Sequence, residues 1–410
     1  MIRYRADWIL PISTDPIPNS WVALDRGRIV ALGRPNDRGG AAVVDLGHSA
    51  IVPGVVNAHT HLELSYLRGA IPPAERFLDW IRTILARQRE FRDPTDPRIV
   101  DGVRASIREA RAAGTALLGD VSNTLVTVPL LAEAEMPSVV FYELLKFNES
   151  DPTGRVERAR QQLDALPAYA DVRTSIAPHA PYSVAPLLFR AIRADLDRHP
   201  FEPSTVHLAE SAEEVQFLKT GGGPWRELLE EVGVWTSEWK PPGSSPVAYL
   251  ADAGFLDSRV LVVHGVQCTI TDISRLASIG CTIVACPRSN RHVGVGTPPL
   301  EAFYRAGARV AFGTDSVASV EELNLFSELA EARRIAPGIP ARQLLESATL
   351  VGARALRFDG ELGSIEPGKR AALLSVSLPS GAAKAGAVGD VEEYLVSGIE
   401  PSMIRWLDAR

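Results

Sequence analysis

Short, continuously apolar runs alternate with amphipathic stretches over most of the chain. From about residue 50, the runs AIVPGVVNA (50–58), TALLGDV (115–121), SVVFYELL (138–145), TSIAP (174–178), STVHL (204–208), VLVVHG (260–265), CTIVAC (281–286) and RVAFGT (309–314) read as strands. Strands without polar alternation belong to parallel sheets covered on both faces. Between them a helical period is visible, as in RIVDGVRASIREARAAG (98–114), closed by its glycine, and TVPLLAEAEM (127–136). Eight such units predict an α/β fold, a (β/α)8 TIM barrel. The competing open, doubly wound sheet is disfavoured because no GxGxxG follows the first strand.

The two ends of the chain have a different texture. WVALDRGRIVALG (21–33) holds two β-prone runs hinged at Asp25-Arg26-Gly27, a hairpin signal, and VVDL (43–46) adds a short strand. GELGSIEPGKRAALLSVSL (360–378) returns to β texture, and the last stretch, 391–410, is placed to strap onto it. The expected organisation is a small composite β-domain built from residues 1–52 and 359–410, flanking a barrel over 53–358.

Composition narrows the function. With 46% hydrophobic and 23% charged residues, the 410-residue chain has the make-up of a globular enzyme. A net charge of −7 without any Lys/Arg block argues against a nucleic-acid partner. Cys268, Cys281 and Cys286 form no CxxC pair, which excludes a disulfide scaffold and a structural zinc finger and fits a reducing cytoplasm. No run approaches the roughly 18 apolar residues of a membrane span, and Asp7 interrupts any signal-peptide core.

A barrel enzyme carries its chemistry at the C-terminal ends of its strands. Those ends hold His59, His61, Asp120, Glu143, His179, His207 with Glu210, His264, Arg288 with Ser289, and Asp315, so five of the eight histidines fall there. In His59-Thr60-His61 the i, i+2 spacing turns both imidazoles to one side of a strand, a pair suited to zinc or ferrous iron. His207 offers a third nitrogen. Glu210, three residues on, can reach over a metal as a general acid/base without binding it. Singly each has a bland reading: a chance HxH, a capping Glu, a core histidine at His264, an Asp315 that caps the next helix.

Together, PGVVNAHTH, HLAES, VVHG, FGTDS and GSIEPGKRA resemble the amidohydrolase superfamily over nearly the whole chain. The resemblance implies that His59, His61, His207 and Asp315 hold one divalent ion per chain, Zn2+ or Fe2+. It also implies that His264 orients the attacking hydroxide, and that Glu210 and Asp315 move protons. Ala372 departs from the Asp common in the return segment. Two-metal members usually carry a bridging Lys or Glu on the fourth strand, and TSIAPHA has neither, although Lys146 follows the third strand where some binuclear relatives place theirs. Glu210 marks the mononuclear deaminase branch, and PHAPYS (178–183) is similar to the segment whose histidine, here His179, contacts substrate. NAHTHLELSYLRG (57–69) with FLDWI (77–81), and CPRSN (286–290) with GTDSVAS (313–319), resemble the aminodeoxyfutalosine deaminases of the alternative menaquinone pathway. Val320, His292 and Val293 depart from that pattern. On this resemblance Glu63, Trp80, Arg288 and Ser289 join His179 as substrate contacts; of Arg68, Arg82, Arg89, Arg288 and Arg291, which follow the first and seventh strands, Arg288 is the one expected to meet a substrate carboxylate.

The expected activity is hydrolytic deamination of a small amino-purine nucleoside, foremost 6-amino-6-deoxyfutalosine, with release of ammonia and with a homodimer left open. The alternatives are an S-adenosylhomocysteine/methylthioadenosine deaminase, or a cyclic-amide, carbamate or chloro-triazine hydrolase of the same fold. A barrel kept only as a binding or assembly protein would have lost its ligands, yet every expected position is filled.

Overall fold

The computed structural model describes residues 1–34, 42–90, 93–379 and 388–407. Eight parallel strands form two four-stranded ladders: Val55–Thr60, Thr115–Ser122, Ser138–Leu144 and Val172–Pro178, then Ser204–Leu208, Val260–His264, Thr282–Ala285 and Arg309–Phe312. At one seam the His207 amide donates to the His179 carbonyl (2.9 Å) and Ser204 Oγ to the Ile176 carbonyl (2.9 Å). At the other the Asp315 amide donates to the His59 carbonyl (3.0 Å), and Asn57 exchanges two hydrogen bonds with Thr314 (2.7 and 3.0 Å). Strands one and eight approach so closely here that a Cβ on Gly313 would lie 2.7 Å from that of His59, which restricts the position to glycine. Together the ladders make the (β/α)8 barrel. Val56, Ala58, Leu117, Val139, Phe141, Ala177, Leu261, Val263 and Ala311 fill its interior, and Ala353, Leu356, Phe358 and Leu362 from the segment after strand eight pack into the same cluster.

A second, seven-stranded sheet joins the chain ends in the order Ile404–Trp406, Leu373–Ser377, Ser49–Pro53, Ile2–Ile9, Ile17–Asp25, Arg28–Gly33, with Ala42–Asp45 parallel to Ile2–Ile9. Arg26 and Gly27 both take positive φ (47° and 74°), which closes the hairpin the sequence signals. The C-terminal strap adds its strand to Leu373–Ser377, and Trp406 Nε1 donates to the Arg111 carbonyl (2.8 Å); residues 408–410 lie outside the described residues.

One element differs from the sequence reading. AIVPGVVNA is not a single strand: Ser49–Pro53 belongs to the seven-stranded sheet and Val55–Thr60 to the barrel. Pro53 and Gly54 make the transfer, and a Cβ on Gly54 would collide with Ala116 (2.6 Å) and Trp406 (2.9 Å). Both halves are apolar because both are buried, so hydropathy alone carries no break. Among the described residues no helix is long and apolar enough to cross a membrane.

Candidate active site

On strands three to five the inward residues keep strict alternation: Val139, Phe141 and Glu143; Ala177 and His179; Thr205 and His207. Strands one and six do not. Val56 and Ala58 face inward, then a register irregularity between Asn57 and Thr60 brings His59 to the same side. Leu261 and Val263 face inward, then His264 follows at φ +75°. Asp315 (φ +61°) and Ala209 (φ +52°) are also left-handed, a conformation costly for residues with a Cβ. Backbone irregularity at four strand ends thus aims side chains that regular strands would turn elsewhere.

The result is one cluster. His61 Nε2 lies 3.2 Å from His207 Nε2 and 3.8 Å from Asp315 Oδ1; His59 Nε2 lies 3.9 Å from the same carboxylate oxygen. His59 Nε2 is buried with no hydrogen-bond partner, an arrangement expected of a nitrogen that awaits a ligand. Ligand atoms of His59, His61 and Asp315, and of His59, His207 and His264, fall within 4.8 Å of one another in each set. Burial, reinforced for His59 and His264 by neighbouring imidazoles, holds these rings neutral: His61 falls to about 4, His207 to about 3, and His59 and His264 well below the ordinary value. Neutral imidazole is the form that donates a lone pair to a metal. The donor set therefore fits a divalent ion.

Surrounding groups fix each ring. His207 Nδ1 donates to the His179 carbonyl (3.1 Å), with Glu143 Oε1 at 3.7 Å, which turns the Nε2 lone pair toward the cluster. Asn290 Nδ2 donates to His264 Nδ1 (2.9 Å), leaving the Nε2 proton facing Glu210 Oε1 at 3.5 Å. Ser289 Oγ donates to Asp315 Oδ2 (2.7 Å) and the Ser316 amide to Oδ1 (2.8 Å). Asp120 Oδ1 takes the Thr60 hydroxyl (3.0 Å) and the Leu62 amide (2.8 Å), clamping the backbone on both sides of His61.

Glu210 is buried beside the cluster. Desolvation, then the charges of Asp315 and Glu214, raise its pKa well above the usual carboxylate range, which favours the protonated, proton-donating form. Its loop is held by Glu214, whose carboxylate accepts the amides of Ala209 (3.1 Å) and Glu210 (2.9 Å). Ser211-Ala212-Glu213-Glu214 has the spacing of a helix-capping box, and that signal could have pointed to Glu214.

The cluster opens into a cavity of about 420 Å3, inside the roughly 300–1,000 Å3 range of small-molecule sites. Helix Phe77–Gln88 presents Phe77, Trp80, Ile81, Ile84, Leu85 and Gln88 to it, spaced as one helical stripe. Helix Pro224–Glu231 adds Trp225, Leu228 and Leu229. Trp225 stacks on Tyr182 with ring centroids 3.7 Å apart. His179 lines the cavity with Nδ1 tied to Ser183 Oγ (2.6 Å), and burial lowers its pKa to about 4.

Of the expected substrate contacts, His179, Glu63 and Trp80 line the cavity. The Glu63 carboxylate is already engaged by the Asn123 and Thr124 amides (both 2.9 Å), so it ties the first loop to the second. Two positions need correction. Arg288 is not on the cavity wall: its guanidinium sits 3.8 Å from both Glu322 and Glu328. Cys286 ends the strand and a short helix, Pro287–His292, begins, so Arg288 and Arg291 face the acids of helix Leu325–Ile335 while Ser289 and Asn290 turn inward. Ser289 is fully buried behind Asp315, which it positions, and it is not part of the cavity lining. The aromatic residues Phe77, Tyr182 and Trp225, and the ring-orienting Asn290, were not singled out from sequence; Phe77 and Trp225 have the helical spacing of core residues, and Tyr182 lies in the turn after strand four.

The amidohydrolase family profile matches residues 50–398, most of the chain. The chain belongs to the amidohydrolase family. Among its relatives is the aminodeoxyfutalosine deaminase of Deinococcus radiodurans, 34% identical over 325 residues that cover 75% of this chain and 73% of the relative. The 5-methylthioadenosine/S-adenosylhomocysteine deaminase of Nitratidesulfovibrio vulgaris is 29% identical over 378 residues, 88% of this chain and 80% of the relative. An adenosine deaminase from Xanthomonas campestris, solved with bound zinc, superposes on this amidohydrolase with a TM-score of 0.82 at 27% identity, covering 98% of this chain and 90% of that one. The aminofutalosine deaminase of Helicobacter pylori shares the fold, with a TM-score of 0.83 at 22% identity and 97% coverage of both chains.

Proposed function

We propose that this amidohydrolase is a metal-dependent hydrolytic deaminase of an adenine-type nucleoside, with 6-amino-6-deoxyfutalosine as its substrate. The observation that carries the reading is Glu210: a buried acid whose protonated form is favoured by its surroundings, beside four convergent metal-type donors at the base of an aromatic cavity. His59, His61, His207 and Asp315 would hold one divalent ion. When bound, such an ion supplies the Lewis acidity that brings the pKa of water from about 16 toward 7. Glu210 gives its proton to the purine ring nitrogen next to the amino-bearing carbon, which makes that carbon electrophilic. His264, its tautomer set by Asn290, holds the attacking water in line through Nε2–H. Asp315 takes the first proton that water loses and passes it to the exocyclic nitrogen, which departs as ammonia; the hydroxyl left on the ring returns its proton to the Glu210 carboxylate and becomes the carbonyl. His179, neutral and held by Ser183, is a hydrogen-bonding partner for the purine.

The 34% relative favours the futalosine-type substrate; the apolar cavity walls also suit a methylthio group, which keeps methylthioadenosine as the second reading. Ammonia release and the accompanying ultraviolet change, followed across 6-amino-6-deoxyfutalosine, 5′-methylthioadenosine, S-adenosylhomocysteine and adenosine, test both. The highest kcat/KM is expected on the first. A preference for methylthioadenosine supports the second reading, and absence of ammonia from all four refutes the deaminase.

A further inference from the structure

With Arg288 turned away, the cavity needs another partner for any charged end of its substrate. Every arginine the sequence put forward is absent from the lining: Arg68 pairs with Glu109 (2.6 Å), Arg82 with Glu231 (3.1 Å), Arg291 with Glu331 (2.7 Å), and Arg89 is the C-cap of helix Phe77–Gln88. Lys146 is the one lysine or arginine among the described lining residues. It lies two residues beyond strand three, exposed, and no described carboxylate pairs with it. Its backbone is pinned: its amide donates to the Ser183 carbonyl (3.0 Å), and its carbonyl accepts from the Ala185 amide (3.0 Å). That bridge joins it to the loop that carries His179, so its position is set relative to the chemistry. Its neighbours Leu145 and Phe147 also line the cavity, alongside Val232 and Val234.

A cation on the cavity wall with no described carboxylate partner, flanked by the lining residues Leu145 and Phe147, selects a ligand with an anion on an apolar arm. An amino-acid terminus fits less well, because its ammonium would require a free carboxylate. Glu63 and Glu143 both line the cavity with their carboxylates already engaged, Glu143 by Asn123 Nδ2 at 2.9 Å. Resting on the deaminase reading above, we infer that Lys146 receives the carboxylate of an aryl- or alkyl-carboxylate carried on the 5′ side of the nucleoside, and so separates that substrate from neutral adenine nucleosides.

The test compares wild type, Lys146→Gln and Lys146→Arg on 6-amino-6-deoxyfutalosine, S-adenosylhomocysteine and 5′-methylthioadenosine, with metal content measured for each protein. Lys146→Gln is expected to raise KM for the aryl carboxylate about tenfold or more, the size of one charge-assisted contact, with a smaller change in kcat. The shift on methylthioadenosine is expected to be several times smaller, and Lys146→Arg to restore most of the loss. Equal losses on the charged and neutral nucleosides, a larger loss on S-adenosylhomocysteine than on the aryl carboxylate, or loss of metal in Lys146→Gln would each overturn the assignment. If wild type yields ammonia from methylthioadenosine and Lys146 makes no difference to charge preference, this inference fails alone; if no adenine nucleoside yields ammonia, the deaminase reading fails first.

Discussion

The floor of the cavity and its walls are built from different parts of the fold. On the floor, His59, His61, His179, His207, His264 and Asp315 come from the ends of strands one, four, five, six and eight, held by ladder hydrogen bonds and by left-handed backbone at His264 and Asp315. On the walls, Phe77, Trp80, Ile84, Trp225 and Leu228 come from two helices inserted in long loops after strands one and five, packed by apolar contact. The difference teaches that chemistry and selectivity are separable here: strand ends position reacting groups, whereas loop helices can exchange side chains without disturbing them.

Removing a floor ligand should therefore be the most severe change. His59→Ala or Asp315→Ala is expected to lose the metal together with at least about 10⁴-fold in turnover, since metal and proton transfer fail together. Circular dichroism should show the fold retained. Retained metal and turnover would dissolve the distinction between floor and walls.

Glu210→Gln should separate metal from proton. Full metal occupancy with a loss of about 10²–10⁴-fold in kcat is expected, as for a general acid/base. Near-wild-type turnover would make Glu210 a structural residue.

The support of the floor should give an intermediate effect. Ser289→Ala removes the hydroxyl that holds Asp315 Oδ2, and metal affinity is expected to fall about 10–100-fold, the usual cost of losing a group behind a ligand. An unchanged affinity by competition with a chelator would show that the Ser316 amide suffices.

A wall variant should behave differently. Trp80→Ala is expected to raise KM about tenfold, from the loss of roughly 1.5 kcal/mol of apolar contact, with little change in metal content. A fall in kcat matching that of Glu210→Gln would mean that the walls also set the reacting geometry.

The smallest effect is a pH dependence. Burial pushes Asp120 up to about 7 from 3.8, so the folded protein keeps a proton that the unfolded chain releases between about pH 4 and 7. Wild-type stability from this group falls as pH rises through that window, and an asparagine does not titrate. The Tm of Asp120→Asn should therefore improve relative to wild type from pH 4 to 7; a constant difference would contradict the assigned shift.

How far the chain could be read follows the same division. The strand ends were legible because histidines and carboxylates interrupt apolar runs, and because HxH, His-x-x-Glu and Thr-Asp occur in barrel order. The transfer at Pro53-Gly54 was not, since both sides of it are buried and apolar. Arg288 misled because it follows a strand end; the short helix that starts there turns Arg288 and Arg291 outward and Ser289 and Asn290 inward, a fact of backbone geometry. Apart from Trp80, the aromatic wall was hidden for a simpler reason. Residues that line a cavity and residues that fill a core obey the same helical spacing.

The most direct measurement is a titration of metal-stripped protein with zinc while ammonia release from 6-amino-6-deoxyfutalosine is followed. Activity should rise linearly from near zero and break at one equivalent per chain, with one ammonia formed per nucleoside consumed. A break at two equivalents, or ammonia release that needs no metal, would contradict the single-ion floor assembled from His59, His61, His207 and Asp315.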